Sequence, residues 1–230
     1  MNGPPLDYRQ LERELESGLT SLVAGTYGGR ETLLTALVAA AAAAGDRPRL
    51  RAALRIARED GTALETVRET VLQTYLFAGY PRAINALADV AGIYGPAGGS
   101  ALDLAPHPGD ETRWLAAGQA LCRRVYGAAY PKLLATMARV SPELGRWMVV
   151  EGYGKVLSRP GLSARMRELA AVAALAALSV PEQLRGHLRG ALLVGATAEE
   201  VAGAIEAAAL VVPGERDRAR RLLRDLPDAR

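Results

Sequence analysis

Residues 50–67 read LRAALRIAREDGTALETV, and residues 184–201 read LRGHLRGALLVGATAEEV. Leucine, arginine, glycine, glutamate and valine recur between the two stretches, each 134 residues after its counterpart. At the fourth position the first copy has Ala53 and the second has His187. Both stretches have helical periodicity, as does nearly all of the chain, and alternating strand patterns are almost absent. The expectation is an all-α fold built from a duplicated helical unit. Its two copies, at about 30–95 and 162–212, pack about a pseudo-twofold axis so that matching apolar faces are buried. A titratable group kept in one copy alone points to a site in the second half and scaffolding in the first.

The composition fits that fold. Half of the 230 residues are hydrophobic and 23% are charged, which excludes a disordered chain. Only 5% are aromatic while alanine is abundant, as in closely packed helices. The net charge of +3 is small, and arginine clusters such as ERDRARRLLRD at 215–225 carry acids among them. That is a solvated helix surface rather than a nucleic-acid stripe. The single cysteine, Cys122, excludes an intramolecular disulfide and a multi-cysteine metal site. The two histidines stand far apart, and neither a metal nor a cofactor is expected. The N-terminal MNGPPLDYRQLERELESG lacks a signal-peptide core, and LLTALVAAAAAAG at 33–45 is too short for a membrane span. A cytoplasmic protein without membrane attachment is expected.

Punctuation divides the chain. Helices are expected at about 5–24, 30–45, 47–60, from Thr62 to near Gly79, and from Pro81 to Tyr94. A glycine- and proline-rich linker at 96–109 separates a first half, 1–95, from a second, 110–230. His107 lies in this linker and carries no expected role. Further helices are expected at 110–126, 129–140, 141–157, 163–178, 180–194 and 197–211, before a short charged C-terminal helix. Thr62 with Glu65, Ser179 with Glu182, and Thr197 with Glu200 read as capping boxes.

Three segments of the second half resemble the carboxymuconolactone decarboxylase family: GQALCRRVYG at 118–127, GYGKVLSRPGLSARMREL at 152–169 and HLRGALLVGATAEEV at 187–201. A further family feature, a helix ending in Tyr-x-Gly-x-Pro-x-Ala, resembles ETVLQTYLFAGYPRAINAL at 69–87 in the first half. The resemblance implies tandem decarboxylase-like halves of the alkylhydroperoxidase D-like fold. It also implies a homo-oligomer, a trimer or hexamer-like ring. The alkylhydroperoxidase D branch carries a glutamate, a CxxC and a histidine on successive helices. Glu168 and His187 match that glutamate–histidine spacing, but Val180 and Gln183 stand at the cysteine positions. Thiol peroxidase chemistry needs a nucleophilic and a resolving thiol. An antioxidant role is therefore the weakest expectation, and Cys122 reads as a small apolar filler.

His187 is the first candidate acid/base, because imidazole exchanges protons near neutral pH. Glu168 is expected to meet it if their helices pack antiparallel. Its bland alternative is a surface ion pair with Arg165 or Arg185. Glu151 stands where the resemblance places another histidine and is the third proton carrier. Arg159 and Arg165 are candidate clamps for a substrate carboxylate, or helix caps and partners of Glu168. Tyr75 and Tyr80 either line a pocket or belong to the core. In the first copy Ala53 and Leu34 fill the histidine and glutamate positions, so no proton carrier remains there. Two hypotheses follow. One is a cofactor-independent enzyme acting on a small carboxylate or lactone, with His187 as general acid/base. The other is a non-catalytic oligomeric scaffold or binding protein.

Overall fold

The computed structural model describes residues 7–96, 98, 105 and 107–226. Residues 5 and 6 of the expected first helix, most of the linker and the last four residues lie outside them. Among the described residues the chain is all helical, without a strand. The first half contains α1 (Tyr8–Ala24), α2 (Arg30–Ala44), α3 (Arg47–Glu59), α4 (Leu64–Gln73), the single turn α5 (Tyr75–Ala78) and α6 (Tyr80–Tyr94). The second contains α7 (Asp110–Tyr126), α8 (Tyr130–Val140), α9 (Pro142–Trp147), a π-helix (Met148–Leu157), α10 (Ala164–Ala177), α11 (Pro181–Leu193), α12 (Ala198–Ala209) and α13 (Arg216–Arg224).

Helix starts follow local chemistry. The Asp7 carboxylate accepts from the amides of Arg9 and Gln10, and Asp46 accepts from Arg49. Ser141 and Ser163 cap α9 and α10, and Thr197 with Glu200 forms the expected capping box. The other two expected boxes do not form. Thr62 lies one residue before the true cap of α4, Ala63, and its amide closes the end of α3 by donating to Ala57 O at 2.9 Å. Ser179 likewise ends α10, in a left-handed conformation at φ 58°. Pro181 takes the first turn of α11, so Val180 becomes its cap. In both places the helix before uses the residue that the pattern assigned to the helix after.

Two expected helices are also interrupted. The segment from Thr62 breaks at Thr74, whose hydroxyl donates to Val71 O at 2.7 Å. The segment from Ser141 widens at Met148 into the π-helix.

The core is centred on α2 and α10, which pack side by side. Every residue from Thr32 to Ala43 and from Arg167 to Ala176 is buried. Helices that are apolar on all sides belong in an interior, and their alanines allow close approach. Thr32 Oγ1 meets Met166 Sδ at 3.7 Å, a contact between residues 134 apart. Helix starts share this offset: Arg30 and Ala164, Arg47 and Pro181, Leu64 and Ala198.

A second cluster joins α7 to the π-helix through Leu121, Cys122, Val125, Tyr130, Val149, Tyr153 and Leu157. Glycines permit that packing. A Cβ at Gly118 would lie 2.0 Å from Val149 O, and one at Gly154 would lie 2.0 Å from Trp114 O. No described helix is long and apolar enough to cross a membrane.

Candidate active site

Glu168 on α10 and His187 on α11 meet in the interior. His187 Nδ1 and Glu168 Oε2 are 2.8 Å apart, and both residues are buried. The alternative, a surface pairing of Glu168 with Arg165 or Arg185, does not form: Glu168 is buried and Arg165 pairs with Glu200. Helix α7 closes the third side. A Cβ at Gly190, one turn beyond His187, would fall 2.8 Å from Glu168 Oε2 and 2.7 Å from Val125 Cγ1. A side chain there would force the Glu168 carboxylate or Val125 to shift. His187 Nε2 has no hydrogen-bond partner among the described residues and is not sealed from solvent.

The first half covers this pair with α5. Phe77 meets the His187 ring edge to face, with centroids 5.4 Å apart. Two residues earlier, the Tyr75 hydroxyl donates to Glu151 Oε1 at 2.9 Å, and Leu76 between them packs on the second cluster. Tyr75 also stacks on Tyr80, 4.9 Å between centroids. Burial, followed by the bond to Glu151, holds the Tyr75 phenol well above its ordinary pKa. Tyr80 is 62% exposed, so it is not core. His187 and Glu151 thus flank one helical turn that the other half supplies.

Beside Glu168 lies a hydroxyl pair. Tyr153 donates to Tyr126 at 2.8 Å. Burial pushes the Tyr126 phenol up to about 12 and the Tyr153 phenol well above its usual value. Burial and the nearby Glu168 carboxylate push the Cys122 thiol up to about 12. A thiol so held is protonated at neutral pH and is a poor nucleophile. Val180 caps α11 and Gln183 is exposed, so the sequence positions matched to cysteines hold no sulfur.

The two candidate clamps are engaged elsewhere. Arg159 Nε lies 3.0 Å from both carboxylate oxygens of Glu69, and Arg165 pairs with Glu200. Glu69 also binds Arg167, which the sequence reading missed. The Arg167 side chain is 1% exposed, and its Nη2 donates to Glu69 Oε2 at 2.8 Å and to the carbonyls of Arg159 and Pro160. Burial pushes the Arg167 pKa down. Burial alone would raise the Glu69 carboxyl, but the two guanidinium bonds outweigh it and hold it below the ordinary value. His107 is exposed.

Gly190, Phe77, Tyr126, Tyr153 and Arg167 are the site neighbours that sequence reasoning did not single out. Tyr126 and Tyr153 lay within the resembling segments, and their aromatic character was the available signal.

Two comparisons with known proteins bear on the chain as a whole. The chain is 32% identical over 146 residues to "Peroxisomal protein 2" of Schizosaccharomyces pombe, covering 60% of this chain and 64% of that protein. The chain thus matches less than two thirds of that relative's length. The carboxymuconolactone decarboxylase family matches residues 142–225, the segment that contains Glu151, Glu168 and His187. Residues 142–225 are thus similar to the carboxymuconolactone decarboxylase family.

Proposed function

We propose that the protein is a cofactor-independent enzyme of carboxymuconolactone decarboxylase type, acting on a small carboxylate or lactone with His187 as general acid/base. The observation that carries this reading is the buried 2.8 Å contact between His187 Nδ1 and Glu168, with Nε2 left unpartnered. When Nδ1–H donates to the carboxylate, the neutral ring keeps its lone pair on Nε2. Nε2 takes a proton from substrate carbon or returns one to it, and Glu168 stabilises the imidazolium formed between those steps. Glu151 is a second proton carrier at the far end of α5, oriented by Tyr75. The first half, with Ala53 and Leu34 buried at the corresponding positions, acts as scaffold.

Tandem duplication belongs to the same proposal. Its support is the shared offset of helix starts and the Thr32–Met166 contact at equivalent positions. A homo-oligomeric ring is proposed from the apolar residues exposed around α9, where Val140, Leu144 and Trp147 are 72%, 51% and 59% exposed. Cytoplasmic placement remains our reading of the chain, with the peroxisomal relative as the competing assignment.

Phe77 against His187, and the engagement of Arg159 and Arg165, favour a second reading: a scaffold in which the His–Glu pair is a packed relic. One experiment separates the two. Purified full-length protein is incubated with a panel of small lactones and carboxylates, and products are followed by NMR and CO2 release. Turnover that falls about 100-fold or more in His187→Gln supports the enzyme, as expected for loss of a general acid/base. Turnover unchanged in that variant, or absent across the panel, supports the scaffold.

A further inference from the structure

The charges around His187 narrow the substrate class, on the premise that His187 is the acid/base described above. Two carboxylates, Glu168 and Glu151, flank the α5 turn that covers the ring. The arginines that precede Glu168 in sequence are committed elsewhere: Arg159 and Arg167 to Glu69, and Arg165 to Glu200. Arg123 lies over the Tyr130 ring, 5.6 Å from its centroid. Arg185 and Arg189 each stand two positions from His187 on α11, about 160° around the helix and on its opposite side, where the Arg189 Nε is buried without a hydrogen-bond partner among the described residues. The remaining neighbours are aromatic or apolar: Phe77, Leu76, Tyr126, Tyr153 and a protonated Cys122.

A substrate carboxylate placed beside Nε2 would be desolvated next to like charge without a compensating cation. An uncharged planar ring would instead exchange water for aromatic contact.

We infer that the site takes an uncharged unsaturated lactone and shifts its double bond by proton transfer, in preference to a carboxylated ring. The step balances without a co-reactant. His187 Nε2 forms a bond to the acidic hydrogen on the carbon next to the lactone carbonyl. That C–H bond breaks, and its electron pair enters a dienolate. The imidazolium then returns the proton to the γ-carbon, leaving the conjugated isomer and a neutral ring.

The test compares two probes on the unmodified full-length chain in D2O. One is an uncharged five-membered β,γ-unsaturated lactone, and the other is the same ring bearing a carboxymethyl group. Deuterium incorporation and isomerisation are followed by NMR. The expected result is that the uncharged ring reacts at least tenfold faster in kcat/KM. In Glu151→Gln, which removes one flanking carboxylate, that gap narrows. Faster reaction of the carboxylated ring overturns this inference and leaves His187 as the acid/base. Catalysis of neither ring overturns the proton-transfer reading together with it.

Discussion

Arg167 and Glu69 form a buried ion pair across the two halves, Nη2 to Oε2 at 2.8 Å, and this pair ties the turn before α10 to α4. Arg167 also donates to the carbonyls of Arg159 and Pro160, so its guanidinium holds that turn as well as the carboxylate. Removing Arg167 leaves Glu69 with the half-exposed Arg159 alone and strips a donor from two carbonyls. Arg167→Met is therefore expected to lower stability by about 3–5 kcal/mol, measured by urea denaturation. A loss no larger than that of an exposed arginine would contradict the assignment.

Glu69 makes the same pair sensitive to acid. Its native pKa lies below the ordinary value, so it contributes stability in full above the unfolded pKa of about 4.3. That contribution is lost as pH falls through the lowered native value, because the unfolded chain then binds more protons. Wild-type stability is expected to drop below about pH 4, with a shallower drop in Glu69→Gln from an already lower start. Denaturation midpoints across that range provide the check.

The glycines of the second half should divide sharply. Gly118→Ala and Gly154→Ala each put a Cβ 2.0 Å from a backbone carbonyl oxygen, which cannot move aside as a flexible side chain can. Each is expected to cost about 1–3 kcal/mol or more by overpacking. At Gly186, inside α11, a Cβ would meet nothing within 4 Å. Gly186→Ala is expected to gain up to about 1 kcal/mol from helix propensity. Thermal melts of the three variants would show opposite signs.

Cys122 should be silent. With the thiol pushed up to about 12 and fully buried, reaction with a thiol reagent at pH 8 is expected only after unfolding. Rapid native labelling would contradict the burial. Peroxide turnover with a dithiol reductant that disappears in Cys122→Ser would revive the peroxidase reading.

The buried tyrosines give an alkaline counterpart. Tyr126 and Tyr153 have raised native values, so the stability they allow is present below the ordinary phenol pKa of about 10 and is lost above it. Phenolate absorbance in the folded protein is expected to lag behind that of the unfolded chain, and the lag should shrink in Tyr126→Phe.

Much of this fold was legible because its signals are local. Asp46, Ser141, Ser163 and Thr197 announce their helices within three residues, and Gly45 stops α2 at φ 74°. The same local chemistry misleads where two helices compete for one residue, as Thr62 and Ser179 show. The Glu168–His187 pair was readable because its spacing matches the one the family resemblance supplies, and because the two helices are consecutive. The partners of Arg159 and Arg167 were not, since Glu69 lies 90 and 98 residues away across the halves. Phe77 carries no sequence mark that distinguishes a residue over a histidine from plain core. The π-helix at Glu151 also escaped, because its apolar spacing differs little from that of an α-helix over one or two turns.

The acid/base role of His187 depends on which ring nitrogen carries the proton, and this can be measured without knowing a substrate. In 15N-labelled protein, at a pH where the ring is neutral, long-range 1H–15N correlations report both imidazole nitrogens. A protonated Nδ1 bonded to Glu168 and a lone pair on Nε2 are expected, with that preference lost in Glu168→Gln. A proton on Nε2 in the wild type, or a spectrum unaffected by Glu168→Gln, would contradict that role.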